Sequence, residues 1–161
     1  MSRFAASTDV TASRSRDEIE RTLERYGADQ FMYGWQDDAA VVGFRMQGLN
    51  IRFVLPLPAK DERRFTHHSK GARTAESALR EWEQATRQRW RALALLIKAK
   101  LEAVESRISV IEDEFMANIV LPGAGGGTVG DWMRPQIAEA YRIGAMPPLL
   151  PMLPAPTADA S

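Results

Sequence analysis

The chain has 161 residues, with 21 Lys plus Arg against 21 Asp plus Glu and a formal net charge of zero, so its overall charge points to no polyanionic partner. With 45% hydrophobic and 26% charged residues it has the composition of an ordinary globular domain, long enough to bury a sizeable core. The absence of Cys excludes disulfides, thiolate nucleophiles, Cys-ligated zinc and iron–sulfur clusters, and fits a reducing compartment. No stretch approaches the roughly 18 apolar residues of a membrane-spanning helix, since the run Ala92 to Ile97 is closed by Lys98.

Residues 1–14 are rich in Ser, Thr and Arg, lack the apolar core of a secretory signal, and are expected to form a disordered N-terminus. Ordered structure is expected from Ser15, because Ser15-Arg16-Asp17-Glu18 has the S-x-x-E form of a capping box. Ile19, Leu23 and Tyr26 then recur at helical spacing until Gly27 stops the helix. The period changes next. Gln30 to Gln36 and Ala40 to Met46 read as two strands of a hairpin, and Ile51, Phe53, Leu55 and Leu57 alternate through a third strand that Pro56 and Pro58 end.

Ala59 to Arg73 carries charge and two His without apolar periodicity, and reads as a long exposed loop. From Thr74 the longest helical pattern steps through Leu79, Trp82, Thr86, Trp90, Leu93, Ile97, Leu101, Val104 and Ile108. About 34 residues at 1.5 Å each make a rod of roughly 50 Å. Three short strands cannot cover its whole apolar face, so self-association through this helix is expected, along with C-terminal helices packed on its overhang. Ile111 to Val120 reads as a helix or a helix with a short strand, and Gly123 to Gly127 as a flexible link. Thr128-Val129-Gly130-Asp131 caps a last helix that stops at Gly144. The expected fold is α+β: an N-terminal helix, a three-stranded antiparallel sheet, one long helix on the sheet, and two shorter C-terminal helices. It forms a single domain over 15–146, followed by a Pro-rich tail over 147–161.

Charge is unevenly placed. Residues 60–107 hold 12 basic side chains against seven acidic ones, leaving +5 on this segment and −5 on the remainder. On a helix turning 100° per residue, Arg80, Arg87, Arg91 and Lys98 fall within about 40° of one another, a stripe able to follow phosphates. Arg63, Arg64 and Lys70 in the preceding loop would add to it. The plainer reading of the stripe is a solvated face with Glu83 and Arg87 as an i,i+4 pair, and Trp82 and Trp90 beside it read as core residues rather than base-stacking platforms. His67 and His68 are adjacent and point to opposite sides of an extended segment, so they do not chelate one metal. A general base there, for a hydrolase or nuclease, would need carboxylates supplied from elsewhere in the fold. The glycine run before Thr128 lacks the Gly-Lys-Ser/Thr ending of a phosphate loop, and Glu112-Asp113-Glu114 diverge by 100° each. No cofactor and no metal site follows from these residues.

The stretches DEIERTLERYGADQFMYGW, AAVVGFRMQGLNIRFVLPLP, RQRWRALALLIKAKLEAVES and EDEFMANIVLP, with TVGDWMRPQI and MPPLLP, resemble a family of small uncharacterised bacteriophage and prophage proteins. The resemblance runs from about Ser15 to Pro151, with Arg25-Tyr26-Gly27, Tyr33-Gly34-Trp35 and Phe65-Thr66-His67 among its marker words. It implies a phage or prophage origin, a bacterial cytoplasm and a setting among replication or recombination genes, and it brings no established activity. The order helix, three strands, long helix is also that of double-stranded RNA-binding domains and is similar to the core of single-strand annealing proteins, although a lysine-rich start to the second helix is absent here. The sequence thus supports a non-enzymatic factor binding DNA or RNA. The alternatives are a protein-interaction module that inhibits or adapts a host factor, through the long helix or the Pro-rich tail, and a hydrolase built on His67 or His68.

Overall fold

The computed structural model describes residues 3–145 except 37 and 124, with side chains from residue 12 onward. The fold is α+β, and the tail read over 147–161 lies outside the described residues.

Helix α1 spans Arg3–Arg25, so the disorder expected over 1–14 is corrected for residues 3–14, as is the expected start at Ser15; residues 1 and 2 lie outside the described residues. Ser15 to Glu18 lies inside the helix. The reason is tertiary: Ala12, Ile19 and Leu23, spaced seven and four residues apart, are all buried, and packing of such a face outweighs a local cap signal. The C-terminal end is as expected, with Gly27 at φ +92° and the Ala28 and Gly27 N–H groups returning to Leu23 O and Glu24 O at 3.0 and 3.1 Å.

Strands β1 (Gln30–Gln36), β2 (Ala39–Met46) and β3 (Leu49–Pro56) form an antiparallel sheet in the order β1-β2-β3. The second hairpin turns on Gln47 and Gly48, both at positive φ, the turn whose twist matches that of the strands it joins. Register places Phe31 and Ile51 on either side of Phe44, and Tyr33 and Phe53 on either side of Val42, so one face carries nearly all the buried residues. The opposite face bears Met32, Arg45 and Val54.

The segment read as an exposed loop is instead tied down. It holds a short helix α2 (Arg63–Thr66) and a two-residue hairpin of β4 (His67–His68) and β5 (Gly71–Ala72). Phe65 is buried, and the Trp82 indole N–H donates to Pro58 O at 2.7 Å across buried space. A single apolar residue has no period, which is why the sequence pattern does not reveal it.

Helix α3 (Ala75–Glu105) is capped by Thr74, whose hydroxyl accepts from the Ser77 N–H at 3.2 Å. It is shorter at its end than expected: Ser106 closes it, and Ile108, at 83% exposure, does not belong to the apolar row. From Trp82 to Leu101 that row is covered within one chain by the sheet, α1, α2 and the short helix α4 (Ile111–Phe115), while Leu79 at its start stays 41% exposed. Phe115 stands edge-on to Phe44 and Phe53 at 5.7 and 6.2 Å. After a 3-10 turn (Met116–Asn118), Ile119 bridges to Ile51 on the outer side of β3. Helix α5 (Val129–Ile143) packs chiefly on that turn rather than on the overhang of α3. No helix among the described residues is long and apolar enough to cross a membrane.

Thr86 Oγ1 and Trp90 Nε1 are buried on α3 without a hydrogen-bond partner among the described residues, whereas Trp82 Nε1 has one. Removing a bonded group and removing an unbonded one differ in sign. Trp82→Phe is therefore expected to cost roughly 1–3 kcal/mol in urea unfolding, by leaving the Pro58 carbonyl unpaired, whereas Thr86→Val holds or raises stability. A comparable loss in both variants would contradict these assignments.

Candidate nucleic-acid interface

Once the sheet and α1 occupy the apolar side of α3, Arg87, Arg91 and Lys98 of α3 are left on the flank that faces α1. The two helices lie side by side in the same direction: Arg14 and Glu18 of α1 share one stretch of groove with Gln84 to Leu95 of α3, and Arg21 and Arg25 share the next with Lys98. Tyr26 closes the far end by donating its hydroxyl to Glu102 at 2.5 Å, and that carboxylate pushes the Tyr26 pKa up. Arg14 and Glu18 line both stretches, so the two adjoin along the α1–α3 seam.

Of the four stripe residues, Arg87, Arg91 and Lys98 line this groove and are exposed, while Arg80 lies outside it and pairs with Glu76 at 3.5 Å. Arg87 approaches Glu83 only at 4.0 Å, a separation at which an exposed pair contributes at most a few tenths of a kcal/mol. Among the described residues, Arg91, Lys98 and Arg14 have no carboxylate within 4.0 Å. The structure adds three cations that the sequence reading missed. Arg14, Arg21 and Arg25 are spaced seven and four residues apart, the same pattern that marked the α3 stripe. Starting the helix at Ser15 put Arg14 outside it and hid the row. Arg21 donates to the Asp17 backbone carbonyl at 3.2 Å, and Arg25 lies 5.8 Å from the Tyr26 ring centre, so neither charge is neutralised by these contacts. Six cations thus face one lining carboxylate, Glu18.

The loop cations do not join them. Arg63, Arg64 and Lys70 are exposed on the α2 and β4–β5 connection and line neither stretch of the groove. Arg64 pairs with Glu62 at 2.6 Å and lies 4.5 Å over the Phe65 ring. His67 and His68 are exposed on the small hairpin. The His67 Nδ1 lies 2.8 Å from the Thr66 hydroxyl, and the His68 Nδ1 accepts the Lys70 N–H at 2.9 Å. No group of three or more His, Asp or Glu able to hold a metal occurs among the described residues.

The glycine run also ends in a structural arrangement. At the start of α5 the Asp131 carboxylate accepts from the Thr128 backbone N–H and hydroxyl at 3.0 and 2.9 Å, while the Thr128 hydroxyl accepts the Asp131 N–H at 3.2 Å. The helix end that a phosphate would use is thus filled by the chain's own carboxylate. The Thr128 backbone N–H, then the Arg134 guanidinium and the Thr128 hydroxyl, hold the Asp131 carboxyl well below the usual carboxylate range. A depressed folded pKa contributes stability that is present above the unfolded value and lost as pH falls through the folded one. Asp131→Asn is therefore expected to be less stable than the parent by roughly 0.5–1 kcal/mol at neutral pH, with the gap narrowing below pH 3.8. Urea unfolding across pH reads this, and a gap that widens in acid would contradict it.

In comparisons with known proteins, the chain matches no protein-family model, no curated protein and no solved structure.

Proposed function

We propose that this protein is a non-enzymatic nucleic-acid-binding accessory factor, and that the α1–α3 groove is its binding surface. The observation that carries the reading is the convergence of six cations from two helices on one groove of a chain with zero net charge, against a single lining carboxylate. Phosphate neutralisation by Lys and Arg supplies most of non-specific nucleic-acid affinity, and it depends on local rather than total charge. The resemblance to phage and prophage proteins adds the setting: a bacterial cytoplasm and a role beside replication or recombination.

The test is anisotropy of labelled DNA and RNA at low salt, with the full chain. Arg87→Glu combined with Arg91→Glu is expected to weaken binding by roughly tenfold or more. Arg89→Glu changes net charge on the same helix away from the groove and is expected to have a much smaller effect. Equal losses in the two variants, or no binding by the parent at micromolar concentration, would remove the groove from this role.

A protein-interaction module is the second reading, and it has its own observation. Helix α5 leaves Trp132 and Ile137 about half exposed and Tyr141 87% exposed, while Asp131–Arg134 and Glu139–Arg142 neutralise each other along it at 2.8 and 2.6 Å. An uncharged apolar helix surface suits a protein groove better than a polyanion. A bacterial partner retained by the parent and lost from Ile137→Asp with Tyr141→Asp would support this reading, and equal retention would contradict it.

A further inference from the structure

The two edges of the sheet differ. In an antiparallel ladder, residues that exchange hydrogen bonds with one neighbouring strand alternate with residues whose backbone faces the other side. The Leu57 N–H donates to Asp38 O at 3.2 Å, so the even-numbered residues of β2 bond β3 and its odd-numbered residues bond β1. The outward carbonyls of β3 then include those of Asn50 and Arg52, and both are occupied. Asn50 O accepts the Val120 N–H at 2.8 Å, and Arg52 O accepts from the Asn118 side-chain amide at 3.1 Å. On β1 the outward backbone is that of Phe31, Tyr33 and Trp35, and no strand lies beyond it among the described residues.

Proteins guard an edge strand against other chains with a charge, a proline, a bulge or short length. β1 has none of these. Its seven residues, Gln-Phe-Met-Tyr-Gly-Trp-Gln, carry neither charge nor proline, and all seven pair with β2 in unbroken register. The strand is also nearly symmetric in character about Tyr33, whose ring has the Arg16 guanidinium 4.1 Å from its centre. Set antiparallel to a second copy about that residue, Gln30 meets the partner's Gln36, Phe31 the partner's Trp35, and Tyr33 the partner's Tyr33. Met32, 71% exposed, falls against the partner's Gly34, and among the described residues nothing lies within 4 Å of a Cβ position at Gly34. Three aromatic pairs thus share the inner face, and such cross-strand pairs stabilise a sheet. Asp29 and Asp37 flank the strand and fall opposite each other, which ends the ladder there, and Arg45, 2.6 Å from Asp29, offsets that charge. A centre on any other residue shortens the overlap.

We propose that β1 pairs with the same strand of a second copy, antiparallel and centred on Tyr33, joining two three-stranded sheets into one of six strands. The contact is isologous, so it closes at a dimer. Residues of both inner faces stay on one side of the joined sheet, and α1 and α3 of both copies lie on that side. The inference stands apart from the nucleic-acid reading, and its test contains no nucleic acid.

The experiment is sedimentation equilibrium of the full chain across micromolar concentrations, where a monomer–dimer equilibrium is expected. Met32→Lys combined with Gly34→Lys sets four like charges along the seam and is expected to weaken the dimer by at least about tenfold. Val54→Lys, on the outer face of β3 where the side chain is 53% exposed, adds charge away from the seam and is expected to leave the dimer unchanged. The register is read by cross-linking. The chain has no Cys, so Gln30→Cys and Gln36→Cys each carry a single thiol. A mixture of the two variants is expected to form a disulfide-linked dimer on oxidation. Either variant alone is expected to link far less, because like positions stand about 20 Å apart along the paired strands. A monomer at every concentration would overturn the inference and leave this edge to a strand of another protein. A dimer equally sensitive to Val54→Lys, or linkage as strong in either variant alone as in the mixture, would overturn it as well.

Discussion

Helix α3 carries Trp82, Trp90, Leu93, Ile97 and Leu101 on one side, and burying that side takes both the sheet and α1. At about 1.5–3 kcal/mol for each large side chain, this row contributes on the order of 10 kcal/mol. The exposed ion pairs of the same helix contribute at most about 1 kcal/mol each. Apolar burial therefore decides how the layers sit, and the charged residues go where that packing leaves them. Arg87, Arg91 and Lys98 come to rest beside α1 because their place on the helix, roughly 100° from the middle of the buried row, puts them on the flank where α1 packs.

The same constraint explains why a chain of zero net charge has a strongly basic groove. The carboxylates are spread over other surfaces: Asp29 against Arg45, Glu62 against Arg64, Glu139 against Arg142, and Asp131 in the cap of α5. Each is matched locally. Asp29 and Glu139 are held below the ordinary carboxylate range by the guanidinium groups that donate to them, which marks these charges as paired. In the groove Glu18 alone lines a space bounded by six cations, so the positive potential there has little to offset it.

Legibility in the sequence followed the length scale of each signal. The three strands could be read because β-branched and aromatic residues alternate and the Gln47-Gly48 turn separates two of the strands, and α3 because its period persists over many turns. The start of α1 could not be read, since Ser15 to Glu18 mimics a cap inside a helix that runs on past it, with Ala12 already buried one turn earlier. The connection with α2 and the β4–β5 hairpin depends on Phe65 and on the bond from Trp82 to Pro58, long-range effects with no local pattern. Half of the groove was visible for the same reason that α3 was. The other half, Arg14, Arg21 and Arg25, needed the correct helix start and the parallel alignment of α1 with α3, and alignment is a property of the packed core rather than of either segment.

The central claim is that the two helices act as one binding surface. Backbone amide shifts, followed by NMR while the full chain is titrated with single-stranded oligo(dT), test it most directly. The account predicts that perturbations cluster on residues 14–25 and 84–98 together, rising with a common affinity and disappearing at high salt. Perturbations confined to α5, to the β4–β5 hairpin or to α3 without α1 would contradict it.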